Sequence, residues 1–137
     1  MGTLNNQPLV FKANGIEGLR LTPNGNVGIG TGRPEYKLDV CGTIRTNELI
    51  TEPQWWPDFV FDDDYVLEPF NERIELIKQN KCLPGLPTEE EVLTNGANMN
   101  EVIQGLLKNM EDLYLYIEQL EKEIQQLRLD YNSIIQE

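Results

Sequence analysis

Few residues in this 137-residue chain have side chains that could do chemistry, and their spacing does not describe a catalyst. Cys41 and Cys82 are the only thiols and there is no histidine, so neither has the base that usually activates a nucleophilic cysteine. Ser133 is the only serine; it stands in no Gly-x-Ser-x-Gly elbow and in no strong Ser-Lys or Ser-Asp signature. Three adjacent acids, Asp62-Asp63-Asp64, could meet a cation, but they lack the spaced acidic loop and distant Glu of a calcium site. Gly25, Gly28, Gly30 and Gly32 suggest a phosphate loop, but the spacing is not GxGxxG, and Arg33-Pro34 breaks the chain where a helix would have to start. Alternation of these glycines with Val27 and Ile29 instead suits a thin strand where backbones approach closely. The expectation is a non-enzyme with no cofactor and no metal.

Binding is the remaining chemistry. Trp55 and Trp56 lie in a rigid connector, Glu52-Pro53-Gln54-Trp55-Trp56-Pro57. Adjacent residues of an extended segment face opposite ways, so one indole is expected in a core and the other is a candidate platform for a sugar, both being kept as candidate glycan contacts. The net charge of −12 argues against nucleic acid, because a binder must neutralise phosphates with Lys and Arg. The acid is concentrated in the middle: segments 1–51, 52–97 and 98–137 carry +1, −8 and −5, and the acidic middle reads as a solvated face. No apolar run approaches 18 residues and no charged-then-apolar leader is visible, so membrane insertion is not expected. Cys41 and Cys82, one in a β-rich stretch and one in a Pro-rich loop, are expected to be free. The abrupt Met1-Gly2 start reads like the middle of a repeat array.

The element that must position everything is the run 98–137. Ile103, Met110, Ile117, Ile124 and Tyr131 fall at a, and Leu106, Leu113, Leu120, Leu127 and Ile134 at d, in unbroken steps of three and four. This spacing predicts a parallel coiled coil, opened by Asn98 three residues before Glu101. Ile at a with Leu at d favours two strands, whereas Leu107, Tyr114 and Tyr116 at e and g widen the stripe and favour three. Glu123 at g and Arg128 at e are spaced to form an ion pair between parallel neighbours.

Upstream, residues 1–51 alternate short apolar groups with turns: Leu9-Val10-Phe11, Leu19 and Leu21, Val27 and Ile29, Leu38 and Val40, then Ile44 to Ile50, separated by Asn14-Gly15 and Thr22 to Asn26. These predict short strands with too little apolar surface for a core of their own, a problem that three copies about one axis would solve. In 52–97, Asp58–Phe61 predicts a short strand. Phe70 to Asn80 predicts an amphipathic helix with Phe70, Ile74 and Ile77 inward, and Thr88 with Glu91 a capping box on a helix ending at Asn95-Gly96. These helices are expected to pack on the first half of the rod, accounting for apolar Leu107, Tyr114 and Leu115 outside the seam.

The run Pro8-Leu9-Val10-Phe11-Lys12, the GNVGIGT of Gly25–Thr31, the YKLDVCGTIRTNEL of Tyr36–Leu49, the WPDFVFDDDYVL of Trp56–Leu67 and the LPGLPTEEEV of Leu83–Val92 together resemble the C-terminal region of phage tail-fibre-like proteins of Bacteroides-type gut bacteria and their phages. The resemblance spans nearly the whole chain. It departs at Lys81-Cys82, where relatives tend to have Gly-His. It implies an α+β chain: a β-rich fibre shaft at 1–51 wound as an intertwined trimeric β-prism, a small helical head at 52–97 and a parallel coiled coil at 98–137. Its implied function is structural, the C-terminal end of a homotrimeric tail fibre that registers the shaft and touches a host cell-surface glycan or protein. The place would be a virion tail fibre made in the bacterial cytoplasm, or the bacterial surface. The alternatives are a cell-surface glycan-binding adhesin and an intramolecular chaperone that is cut from its fibre.

Overall fold

The computed structural model describes residues 2–135. It is an α+β chain in which a four-stranded sheet precedes three helices, and it divides into two compact units between Ile50 and Thr51.

In the first unit, β1 (Leu9–Ala13) and β2 (Ile16–Leu21) form a hairpin. Its turn is Asn14-Gly15, both at positive φ (49° and 77°), which matches the right-handed twist of the strands. β3 (Val27–Ile29) pairs antiparallel with β2, and β4 (Leu38–Val40) pairs parallel with β3, giving the order β1-β2-β3-β4. Between β2 and β3, Thr22 closes the turn: its carbonyl accepts from the Gly25 N–H (2.9 Å) and its hydroxyl oxygen from the Asn26 N–H (3.0 Å). Gly28 is buried, and a Cβ there would lie 2.6 Å from the Thr31 carbonyl oxygen, the close backbone approach that the glycine alternation implied.

Register sorts the side chains by face. Leu9, Leu21, Val27 and Leu38 form one transverse row and Phe11, Leu19, Ile29 and Val40 the next, and strand alternation places both rows on the same side of the sheet. The opposite face carries Val10, Arg20, Gly28 and Asp39. Within this unit, among the described residues, no apolar side chain is buried, and Phe11 and Leu38 are 50% and 57% exposed. Residues 44–50 form no strand, against expectation. Leu49 and Ile50 stand in solvent, because extended backbone becomes a strand only where another edge accepts its hydrogen bonds.

The second unit is built on α3 (Met99–Ile135), 37 residues and about 55 Å long. Asn98 starts it, its Oδ1 accepting from the Asn100 N–H (3.0 Å) while its amide reaches Glu101 (3.1 Å). α1 (Phe70–Asn80) begins after Pro69 and stops at Lys81, which adopts a left-handed conformation (φ 58°) to donate its N–H to the Ile77 carbonyl (2.8 Å). α2 (Glu89–Asn95) opens on the expected capping box, Thr88 and Glu91 bonding each other's backbone N–H, and ends at Gly96. One expectation fails here and another holds in part. Asp58–Phe61 is not a strand: Pro57 and Val60 are buried and the chain then turns, the Asp62 N–H donating to the Phe59 carbonyl and the Tyr65 N–H to that of Asp62. In α1 the buried residue is Arg73, while Ile74 and Ile77 are half-buried and Phe70 is 51% exposed. The inward face thus combines the expected Ile74 and Ile77 with Arg73, which meets polar partners on α3.

Candidate functional site: two faces of the long helix

Within the second unit, α3 buries polar residues and exposes apolar ones. All ten a and d residues stand in solvent, from 43% exposed at Ile103 to 72% at Ile134, with Leu106, Met110, Leu113, Ile117, Leu120, Ile124, Leu127 and Tyr131 between. The covered face instead carries Gly105, Asn109, Asp112 and Tyr116, spaced by four, three and four residues and so forming a second stripe beside the seam.

Asp112 is the centre of that face and is 0% exposed. Its carboxylate forms an ion pair with Arg73 Nη1 of α1 (2.8 Å) and accepts from Lys108 Nζ one turn earlier (2.9 Å) and from the Tyr65 hydroxyl (2.5 Å). Lys108 also donates to the Tyr65 oxygen (2.8 Å) and lies over its ring, 5.3 Å from the centroid. Arg73 Nη2 donates to Asn109 Oδ1 (2.7 Å), and the Asn109 amide donates to the carbonyls of Pro84 (2.8 Å) and Gly105 (2.6 Å). Tyr116 donates its hydroxyl to the Glu68 carbonyl (2.6 Å) and meets the Phe70 ring edge-on at 5.0 Å. Gly105 admits the loop before α2, since a Cβ there would lie 2.6 Å from Leu86 Cδ2 and 2.9 Å from the Gly85 oxygen. A buried charge with three donors is satisfied; with one removed, the remainder costs several kcal/mol.

Burial raises the Tyr65 phenol above its ordinary range, and the Asp112 hydrogen bond adds to the shift against the opposing effect of Lys108. For Lys108, burial pulls the ammonium down, but hydrogen bonds to Tyr65 and Asp112 outweigh it and leave the group above its ordinary value. Burial raises Glu111 as well, reinforced by Asp58 and Asp112, and its Oε2 is shielded without a hydrogen-bond partner. These groups hold a fold together. Nothing among them pairs a nucleophile with a base.

The other candidates are placed as follows. Trp55 and Trp56 are 56% and 49% exposed, so neither is the core residue expected; the Trp55 carbonyl accepts from Gln104, which fixes backbone and leaves the indoles out. Trp55 borders an open groove of about 330 Å³ with Pro57, Pro84, Gln104 and Lys108. Glu123 and Arg128 are exposed and form no ion pair within the chain among the described residues, where Glu118 and Lys122 do (2.6 Å). Tyr116, expected to widen the seam, faces the head, and Tyr114, expected to be covered by the small helices, is 65% exposed; Leu107 and Leu115 are half-buried. Cys41 and Cys82 are free thiols. Among the described residues no cluster of three acids or thiols could hold a metal, and no helix is long and apolar enough to cross a membrane. Sequence reasoning missed Arg73, Lys108, Asn109 and Asp112. The signal was the second four-three-four stripe, concealed because polar helix positions read as solvated. Comparison with protein-family models, curated proteins and solved structures finds no match to this chain.

Proposed function

We propose that this chain is a structural protein that assembles as a parallel homotrimer through the a/d seam of α3, as the C-terminal end of a phage tail fibre. The observation that carries the reading is the exposure of all ten seam residues while the polar face of the same helix is buried. Removing half of ten large side chains from water is worth on the order of 10 kcal/mol per chain, enough to exceed the cost of association in a long interface. Three chains suit the first unit better than two. A one-sided four-stranded sheet leaves a whole face to cover, and three such faces turned inward make a prism with one shared core. Glu123 and Arg128, which form no ion pair among the described residues, then meet between neighbours and favour the parallel arrangement. The resemblance to tail-fibre ends supplies the biological setting, and the protein carries no catalysis in it. Light scattering tests the assembly: a mass three times the 15.7 kDa chain is expected, and a monomer overturns the reading.

A second role attaches to the same assembly. The half-exposed Trp55 and Trp56, with a groove beside Trp55, form the surface by which the head contacts a host glycan. A glycan array on the intact assembly, compared with Trp55→Ala, tests it; indifference of every bound sugar to that change removes the role.

A further inference from the structure

Two large aromatic side chains that flank the seam are left at least half exposed by their own chain. Phe70 touches Tyr116 with one edge yet remains 51% exposed, and beside it Tyr116, Gln119, Leu120 and Glu123 line a notch of about 180 Å³. Those positions are g, c, d and g of the heptad, so Phe70 sits along the g flank and next to the seam residue Leu120. Tyr114 stands at e on the other flank and is 65% exposed.

In a parallel assembly in register, the g flank of each helix faces the e flank of the next. Tyr114 of a neighbour then lies two residues, about 3 Å in axial height, from Tyr116, the residue that supports Phe70. We infer that Phe70 of one copy packs against Tyr114 of the next, so that the head of each chain grips its neighbour's rod and the notch is completed only by assembly. This inference rests on the parallel trimer proposed above and adds an interface outside the a/d seam. Each chain gives its Phe70 side to one neighbour and its Tyr114 side to the other, a head-to-tail contact that closes only as a ring. The contact explains why Phe70, the first residue of α1, is apolar though its own chain does not bury it, and why an aromatic stands at e where the later heptads place Glu121 and Arg128.

Paired cysteines test the contact in the full chain. In a Cys41→Ser/Cys82→Ser background, Phe70→Cys with Tyr114→Cys, treated with a short bismaleimide, is expected to give covalent trimer on a denaturing gel, whereas each single cysteine gives none. Light scattering on the untreated variant separates the outcomes. Trimeric mass without interchain product overturns the Phe70–Tyr114 contact alone, while a monomeric wild-type chain overturns the assembly and the contact together. A double-mutant cycle on Phe70→Ala and Tyr114→Ala is expected to show a coupling of roughly 2–12-fold in dissociation constant per contact. Strict additivity of the two changes overturns the contact even if both weaken the trimer.

Discussion

Replacing Asp112 by Asn should separate the head from the rod without separating the chains. The exchange keeps the side-chain volume and removes one charge. The carboxylate is fully buried, pairs with the Arg73 guanidinium and accepts from Lys108 and Tyr65. An amide can satisfy one of these donors through Oδ1, but its NH₂ group then points at cations paired with the other oxygen, leaving the Arg73 guanidinium, itself 8% exposed, with only the more distant Glu68 carboxylate (3.9 Å) as counter-charge. Breaking a buried pair from one side costs about 3–5 kcal/mol; Lys108, one-third exposed, recovers part of its loss from water, so the lower half of that range applies. Against a total stability of 5–15 kcal/mol, such a loss moves the head towards unfolding well before the coil. Both tryptophans lie in segment 52–97, so their fluorescence follows the head while circular dichroism follows mainly α3. In urea the wild-type protein should give coincident transitions. Asp112→Asn should shift the fluorescence transition to lower urea and leave a later helical one. A variant whose two transitions stay together and move by less than about 1 kcal/mol would refute the claim that this network locks the head.

Four further changes probe other parts of the structure. Gly105→Ala should lower stability by about 1–3 kcal/mol in urea unfolding despite the better helix propensity of Ala, because the new methyl meets Leu86 and the Gly85 carbonyl oxygen. Lys81→Gly should raise the melting temperature of the head, by roughly 0.5–1 kcal/mol of stability, since residue 81 caps α1 at φ 58°, where an L side chain is strained. Glu111→Gln should raise the melting temperature at neutral pH. The folded state lifts this carboxyl above its ordinary value, so its charge is penalised once pH exceeds that of the unfolded group, and the gain should vanish on acidification below the carboxylate range, where wild-type Glu111 is neutral too. Ile117→Lys/Leu120→Glu places charges at adjacent seam positions and should abolish association in sedimentation, while Trp fluorescence keeps its native emission because neither residue belongs to the hydrogen-bond network around Asp112 and Asn109.

What was legible in the sequence divides along physical lines. Period and punctuation were readable: α1 runs from Phe70 to Asn80 as its spacing predicts, the Thr88–Glu91 box opens α2, Asn14-Gly15 turns the hairpin, and α3 is unbroken through the heptads. These features are local, set by a few neighbouring residues. The absent strands at Ile44 to Ile50 and Asp58–Phe61 show the limit, because a β pattern needs a partner edge and sequence alternation cannot tell whether one exists. The network around Asp112 was hidden for a different reason. Arg73 and Asp112 are far apart in the chain, each looks like an ordinary exposed charge on an amphipathic helix, and only their meeting makes them interior.

That meeting also solves a problem that the seam creates. The seam is the apolar stripe of α3, and by burial alone the head would occupy it in place of a partner helix. Buried ion pairs are poor sources of stability beside apolar groups of equal volume, but they are demanding about what they face. A head that presents Arg73 and Tyr65 finds its match on the side bearing Asp112 and Asn109, and on the Ile/Leu seam the guanidinium would lose both of those partners. The polar face therefore fixes which side of α3 the head occupies: directional contacts hold the chain's own head there, and the seam is left exposed, as the proposed trimer requires. The order of loss in Asp112→Asn, head before helix, follows from that division and would reverse if the head were held by the seam.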